Sequence, residues 1–110
     1  MRDERLLLKD ILGAIDRIDA FIGGMSFDAF MADEKTVNAV TYNLLVIGEA
    51  VKLLPDDLTR KYPEIPWRQI AGMRDKLAHA YFSVDYELVW KTVTQLLPQF
   101  RRAIETILKS

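Results

Sequence analysis

The sequence predicts an all-α protein, an up-and-down four-helix bundle with room for one extra short helix. Three observations carry this. Apolar residues recur at spacings of three and four through four long segments. Sustained alternation and Asn-Gly or Asp-Gly turns, the marks of strands and hairpins, are absent. The connections are short and carry Gly-Gly or Pro. With 110 residues, half of them hydrophobic, the chain suits a single domain spanning 1–110, large enough to fold around a core without staples.

The first segment, residues 3–22, places Leu8, Ile11, Ile15, Ile18 and Ile22 on one helical face. Asp3 and Glu4 suit its positive N-terminal end, and Gly23-Gly24 stop it. Phe27, Phe30 and Met31 form an apolar connection about one helical turn long. Asp33, with Thr36 as alternative, caps the second segment, whose stripe is Val37, Val40, Leu44, Ile47, Val51 and Leu54. Gly48 in mid-helix costs about 1 kcal/mol relative to alanine, which implies close approach by another helix, from this chain or a second subunit. Glu49 reads as exposed, though Tyr42, Asn43 and Glu49 make a polar edge able to line a cleft. Pro55 closes this helix, and residues 55–65 read as a loop or short turn. The third helix is expected from Pro66 to about Ala80, anchored in the core by Trp67, with Gly72 leaving room beside its polar side. Ser83 or Asp85 caps the fourth, with Val89, Val93, Leu96, Phe100, Ile104 and Ile107 buried. Pro98 predicts a kink that frees the Thr94 carbonyl. Arg101, Arg102 and Lys109 suit the negative end of that helix dipole.

Fifteen basic side chains against sixteen acidic ones give a net charge of −1. A protein holding nucleic acid by bulk charge is thereby excluded, and RNA binding would rest on local clusters: Arg60-Lys61, Arg68, Arg74-Lys76 or Arg101-Arg102. There is no cysteine, hence no disulfide or thiolate metal site. One histidine with scattered carboxylates makes no ligand set, so neither metal nor cofactor is expected. No apolar run approaches a membrane span and the N-terminus carries no signal pattern, so the cytoplasm is the expected location.

The chemistry gathers at Met73-Arg74-Asp75-Lys76-Leu77-Ala78-His79-Ala80-Tyr81, which holds the sole histidine. On a helical wheel, with Arg74 at zero, Tyr81 falls near −20°, Ala78 near 40°, Asp75 near 100° and His79 near 140°. Ile70, Met73, Leu77 and Ala80 gather on the other side, between about 240° and 320°. A guanidinium grips phosphate in a two-pronged geometry at any working pH. An imidazole moves protons near neutrality. Asp75, four residues before His79, is placed to orient the ring and favour its protonated form. Together these groups would cleave RNA without a metal: the ribose 2′-hydroxyl attacks the adjacent phosphorus, His79 moves the proton and Arg74 stabilises the added charge. Lys76 and Arg68 are candidate RNA contacts. Such a reaction wants both a base and an acid, and the chain has one histidine, so a two-fold dimer with the motif helices facing each other is expected. Spacing alone leaves a second reading open, in which His79 is packed at the helix end against Asp75 and Tyr81 covers the core edge.

The spacing Arg-x4-His-x-Tyr, with Ile47-Gly48-Glu49-Ala50, Ile65-Pro66-Trp67, Val84-Asp85 and Val89-Trp90 around it, resembles the HEPN family and specifically its HepT-like toxin branch. The resemblance covers most of the chain. It implies a dimeric endoribonuclease, the toxin of a type VII-like toxin–antitoxin module, with Arg74 and His79 as the ribonuclease residues. It also implies a small minimal nucleotidyltransferase as antitoxin, which attaches AMP to the motif tyrosine, Tyr81. The position after the arginine is often Asn in that family, and here it is Asp75, which adds negative charge beside an RNA site. The chain lacks the Gly-Ser and Asp-x-Asp of the transferase, so it stands as the modified partner. A different class of function stays open beside the nuclease: a non-catalytic helical module that binds a nucleotidyltransferase or a nucleotide.

Overall fold

A computed structural model describes residues 3–78 and 85–110 of the chain. The described residues form helices and connections only, as expected: α1 (Glu4–Ile22), α2 (Phe27–Ala32), α3 (Glu34–Leu53), α4 (Asp56–Lys61), α5 (Trp67–Ala78), α6 (Tyr86–Lys91), a π turn (Thr92–Leu96) and α7 (Leu97–Lys109). α6, the π turn and α7 run on as one rod, so four long rods make the bundle and α2 and α4 are additions to it. α1 packs on α3 and α7, and α3 packs on α5.

Short polar side chains set the helix starts. The Asp3 carboxylate accepts the Arg5 N–H at 2.9 Å, Asp33 accepts that of Thr36 at 3.1 Å, and Asp85 accepts that of Leu88 at 3.0 Å, each satisfying a donor the helix leaves unpaired. Of the alternatives above, Asp33 and Asp85 are the caps. Gly23 ends α1 in the left-handed conformation at φ 43°, where a side chain would be strained. The apolar connection after it is a helix in its own right: Ser26 caps α2 through the Ala29 N–H at 3.1 Å. Its Phe30 is fully buried, 5.2 Å from the Trp90 ring.

Two expectations need correction. Residues 56–61 are a helix, α4, not a loop. Asp56 and Asp57 in its first turn and Arg60 and Lys61 in its last suit the helix dipole at both ends. Where the Pro98 kink was expected, the structure carries a π turn just ahead of the proline. The Leu97 N–H reaches the Thr92 carbonyl, five residues back, and Pro98 then falls in the first turn of α7, where a missing N–H costs little. Thr92 and Thr94 hydroxyls donate to the carbonyls of Leu88 at 2.8 Å and Trp90 at 2.7 Å. The extra residue rotates the helix, so Leu97 is buried where Leu96 was expected and Leu96 is only half-buried.

The rest of the core follows the apolar stripes. All six expected α3 positions are buried, as are Leu8, Ile11, Ile15 and Ile18 of α1, while Ile22 is half-buried. Pro66 stands one residue outside α5, its carbonyl accepting the Ile70 N–H at 3.1 Å. Trp67 anchors that helix. Its indole N–H donates to the Tyr62 carbonyl at 3.0 Å and its ring meets Phe100 edge-on at 5.7 Å. Ile70, Met73 and Leu77 continue inward, which turns the Arg74 side of α5 toward α3. Among the described residues no helix is long and apolar enough to cross a membrane.

Candidate active site

Arg74 owes its place to Gly48. A Cβ built on Gly48 would lie 2.3 Å from Arg74 Cβ, 3.2 Å from Cγ and 3.3 Å from Cα, so α5 crosses α3 at a point only a glycine can occupy. The close approach inferred from Gly48 is real, and it comes from the motif helix of the same chain. Gly72, by contrast, faces open space.

The Arg74 side chain is 36% exposed. Its Nε lies 3.5 Å from Glu49 Oε1, and its Nη1 donates to Asp75 Oδ1 at 3.3 Å. Asp75 also accepts from Lys52 Nζ at 2.6 Å. Four charges from two helices thus alternate in sign along the α3–α5 seam, and they spread the guanidinium across it while leaving part of it to solvent. The hydrogen bond from Lys52, then its charge and those of the Arg74 guanidinium, hold the Asp75 carboxyl below the usual carboxylate range. Asp75 is therefore a fixed negative charge at neutral pH.

Arg74 opens onto a cleft of about 880 Å³ between α1, α3 and the end of α5. Ala78 floors its α5 side, Tyr42 and Glu49 line it from α3, and Arg17 from α1. Tyr42 and Glu49 thus line a cleft as their polar edge suggested, whereas Asn43 is buried beneath it.

Of the candidate residues, the structure brings Arg74 and Asp75 together. Lys76 is exposed, two positions from Arg74 and so about 200° around the helix. Arg68 borders a different groove of about 480 Å³, between α4, the end of α3 and the start of α5. His79 and Tyr81, with the proposed Asp75–His79 contact, lie outside the described residues. Among those described, no group of three or more histidine or acidic side chains converges as a metal site would require. Lys52 and Arg17 belong to the site and are absent from the sequence reading. Lys52 follows Gly48 by four residues, so it shares the face that meets α5, and this was the available signal. Arg101, read as a helix-dipole residue, ties α7 to α1 through Asp16 and Asp19.

The family model described as "Ribonuclease HepT-like" matches residues 11–107. Curated relatives match almost end to end. A Thermococcus cleftensis protein named "Probable ribonuclease HepT" is 45% identical over 98% of this chain and 98% of its own. A Methanocaldococcus jannaschii protein named "Putative RNase" is 46% identical over 98% of this chain and 89% of its own. Another so named, from Caldanaerobacter subterraneus subsp. tengcongensis, is 38% identical over 99% and 97%. No solved structure matches the chain. A glycine-seated arginine over an open cleft, the Arg-x4-His-x-Tyr spacing and these near full-length matches lead to one assignment: the chain belongs to the ribonuclease HepT-like family.

Proposed function

We propose that this protein is a metal-independent endoribonuclease acting on tRNA or mRNA, the toxin of a type VII-like toxin–antitoxin module in the cytoplasm. The observation that carries the reading is the placement of Arg74: locked by Gly48, spread by Glu49 and Asp75, partly exposed to a cleft of about 880 Å³. In the cut, the 2′-hydroxyl oxygen bonds to the neighbouring phosphorus and the bond to the departing 5′-oxygen breaks. A 2′,3′-cyclic phosphate and a 5′-hydroxyl result. His79 handles the proton, and Arg74 faces the charge that builds on the non-bridging oxygens. One imidazole serves one proton transfer at a time, so the second group comes from a second copy across a two-fold cleft. AMP attached to the Tyr81 hydroxyl by a minimal nucleotidyltransferase would, on the wheel positions expected from the spacing, carry phosphate toward Arg74 and exclude RNA.

The test is expression of wild type and His79→Ala, with cleavage of total tRNA and mRNA followed in EDTA. Wild type is expected to arrest growth and to cut RNA to cyclic-phosphate ends, and a folded His79→Ala protein to do neither. If both are harmless and neither cuts, the nuclease reading fails and the interaction-module reading takes its place. An active monomer, made by interface substitution, refutes the shared cleft. Intact mass after co-expression with a cognate nucleotidyltransferase tests the modification: added AMP, lost in Tyr81→Phe, is the expected result.

A further inference from the structure

The same cleft carries a second guanidinium, on α1. Arg17 of α1 donates through Nε to Asn43 Oδ1 at 2.9 Å. Asn43 is 4% exposed, and its Nδ2 donates to the Ala39 carbonyl at 2.8 Å. With its amide nitrogen tied to a carbonyl, the carboxamide must present its oxygen to Arg17. The guanidinium is thereby oriented by a buried, neutral partner. It lies back along α1 over Gly13, where a Cβ would meet Nη1 at 3.5 Å.

Its charge, however, is not cancelled. Arg60, Arg74 and Arg101 each pair with carboxylates, whereas among the described residues none pairs with Arg17. Asp10 and Glu49 line the same cleft, but Glu49 is engaged by Arg74 and neither forms an ion pair with Arg17. A buried asparagine that aims a cation into a cleft and leaves both terminal nitrogens unspent makes a receptor for an anion. Tyr42, next to Asn43 on α3 and 65% exposed, lines the same cleft. A phosphate-gripping fork with an aromatic face alongside is the combination that single-stranded RNA binding uses, because phosphate and base repeat together along the strand.

We infer that Arg17 and Tyr42 form a nucleotide subsite flanking the cut: Arg17 holds the phosphate next to the one at Arg74, and Tyr42 stacks on that nucleotide's base. The subsite rests on the ribonuclease reading above. It predicts that the protein engages more of the strand than the scissile dinucleotide, which fits a cleft larger than one phosphate requires.

The experiment measures anisotropy of a fluorescein-labelled 2′-O-methyl RNA of mixed sequence, which binds but cannot be cut, across a salt series. Wild type is compared with Arg17→Gln, Asn43→Asp and Tyr42→Leu, alongside cleavage of the unmodified RNA and sedimentation. Arg17→Gln is expected to weaken binding about tenfold at low salt and to flatten the slope of log affinity against log salt by about 0.7 per site, the loss of one single-strand phosphate contact. Asn43→Asp, which sets a carboxylate on the same guanidinium, is expected to do likewise. Tyr42→Leu is expected to weaken binding about tenfold with the slope unchanged. In cleavage the loss falls on KM more than on kcat. Folded variants that bind and cut like wild type overturn the subsite and leave the nuclease standing; a wild type that neither binds nor cuts RNA removes both. Variants that fall apart into monomers without a change in RNA affinity per dimer assign this face to a second copy and also overturn it. Should Arg17→Gln not fold, the exposed Tyr42 decides: unchanged affinity in Tyr42→Leu is fatal to the proposal.

Discussion

Gly48→Ala separates the two things Gly48 does, weakening its own helix and seating Arg74. The added methyl would start 2.3 Å from Arg74 Cβ, against about 3.5 Å for carbons in contact. The crossing of α3 and α5 must therefore open by about 1.2 Å, and the obstructing atoms are Cα and Cβ of Arg74, which a rotamer change cannot move. Overpacking of this kind costs about 1–3 kcal/mol, while alanine returns about 1 kcal/mol of helix propensity. The net loss is about 0–2 kcal/mol, a fall in Tm of up to about 10 °C for a domain this size. The effect on function is larger, because a displacement of about 1 Å in a positioned group costs on the order of 100-fold in rate. Thermal unfolding by circular dichroism beside cleavage of an RNA substrate checks both. The expected variant is folded, slightly less stable, and crippled. A variant that gains the propensity increment in Tm and cuts at the wild-type rate would mean that α5 slides freely on α3, and the seating argument would be wrong.

Other perturbations follow from the same contacts. Arg74→Lys keeps the charge but loses the two-pronged geometry and the spread between Glu49 and Asp75; cleavage is expected to fall by about 10- to 1,000-fold with Tm unchanged, and near wild-type cleavage would reduce Arg74 to a point charge. Asp75 has a folded pKa below its unfolded value, so whatever stability its ties to Lys52 and Arg74 add is present above the ordinary carboxylate range and disappears as pH falls through the folded pKa. Asp75→Asn is therefore expected to leave Tm between pH 6 and 8 within a few degrees of wild type, since the pair it breaks is exposed, and to tighten binding of the 2′-O-methyl RNA; weaker binding would make Asp75 a required positioning group. Trp67→Phe removes the indole bond to the Tyr62 carbonyl and is expected to cost about 1–2 kcal/mol in urea unfolding, without changing kcat.

What was legible in the sequence is what local physics decides. Asp3, Asp33 and Asp85 cap their own helices within three residues, and Gly23 turns its own backbone, so each could be read without knowing the fold. The α5 face was equally plain, since Ile70, Met73 and Leu77 share one side of the helical wheel and their burial leaves Arg74 at its edge. Failures begin where the partner is distant or the period ambiguous. Leu96 and Leu97 are adjacent leucines; a helix of constant pitch selects the first, and one π turn selects the second. Arg101 sits near a helix end, which sufficed as an explanation until Asp16 and Asp19 arrived from α1, more than eighty positions away. Gly48 announced a close approach but not its source. Arg17 and Asn43 gave little warning, for an arginine on an amphipathic helix looks solvated and an asparagine beside an apolar stripe looks exposed.

The charge distribution decides how RNA would be held. With a net charge of −1 and Arg60, Arg74 and Arg101 each matched to acids, the surface offers little long-range attraction, so affinity must come from short-range contacts inside the cleft. Two guanidinium groups per protomer, Arg74 and Arg17, would make four phosphate contacts in the proposed two-fold dimer. At about 0.7 per single-strand phosphate, log affinity should fall against log salt with a slope of about −2.8. A binding titration of the protein in increasing potassium chloride measures this directly. A slope near −6 would require about twice as many phosphate contacts, drawn from outer-surface cations such as Arg68 and Lys76, and would move the RNA path out of the cleft and onto the outside of α5. A slope near −1.4 would leave only one pair of phosphates held, and the Arg17 wall would then have no part in binding.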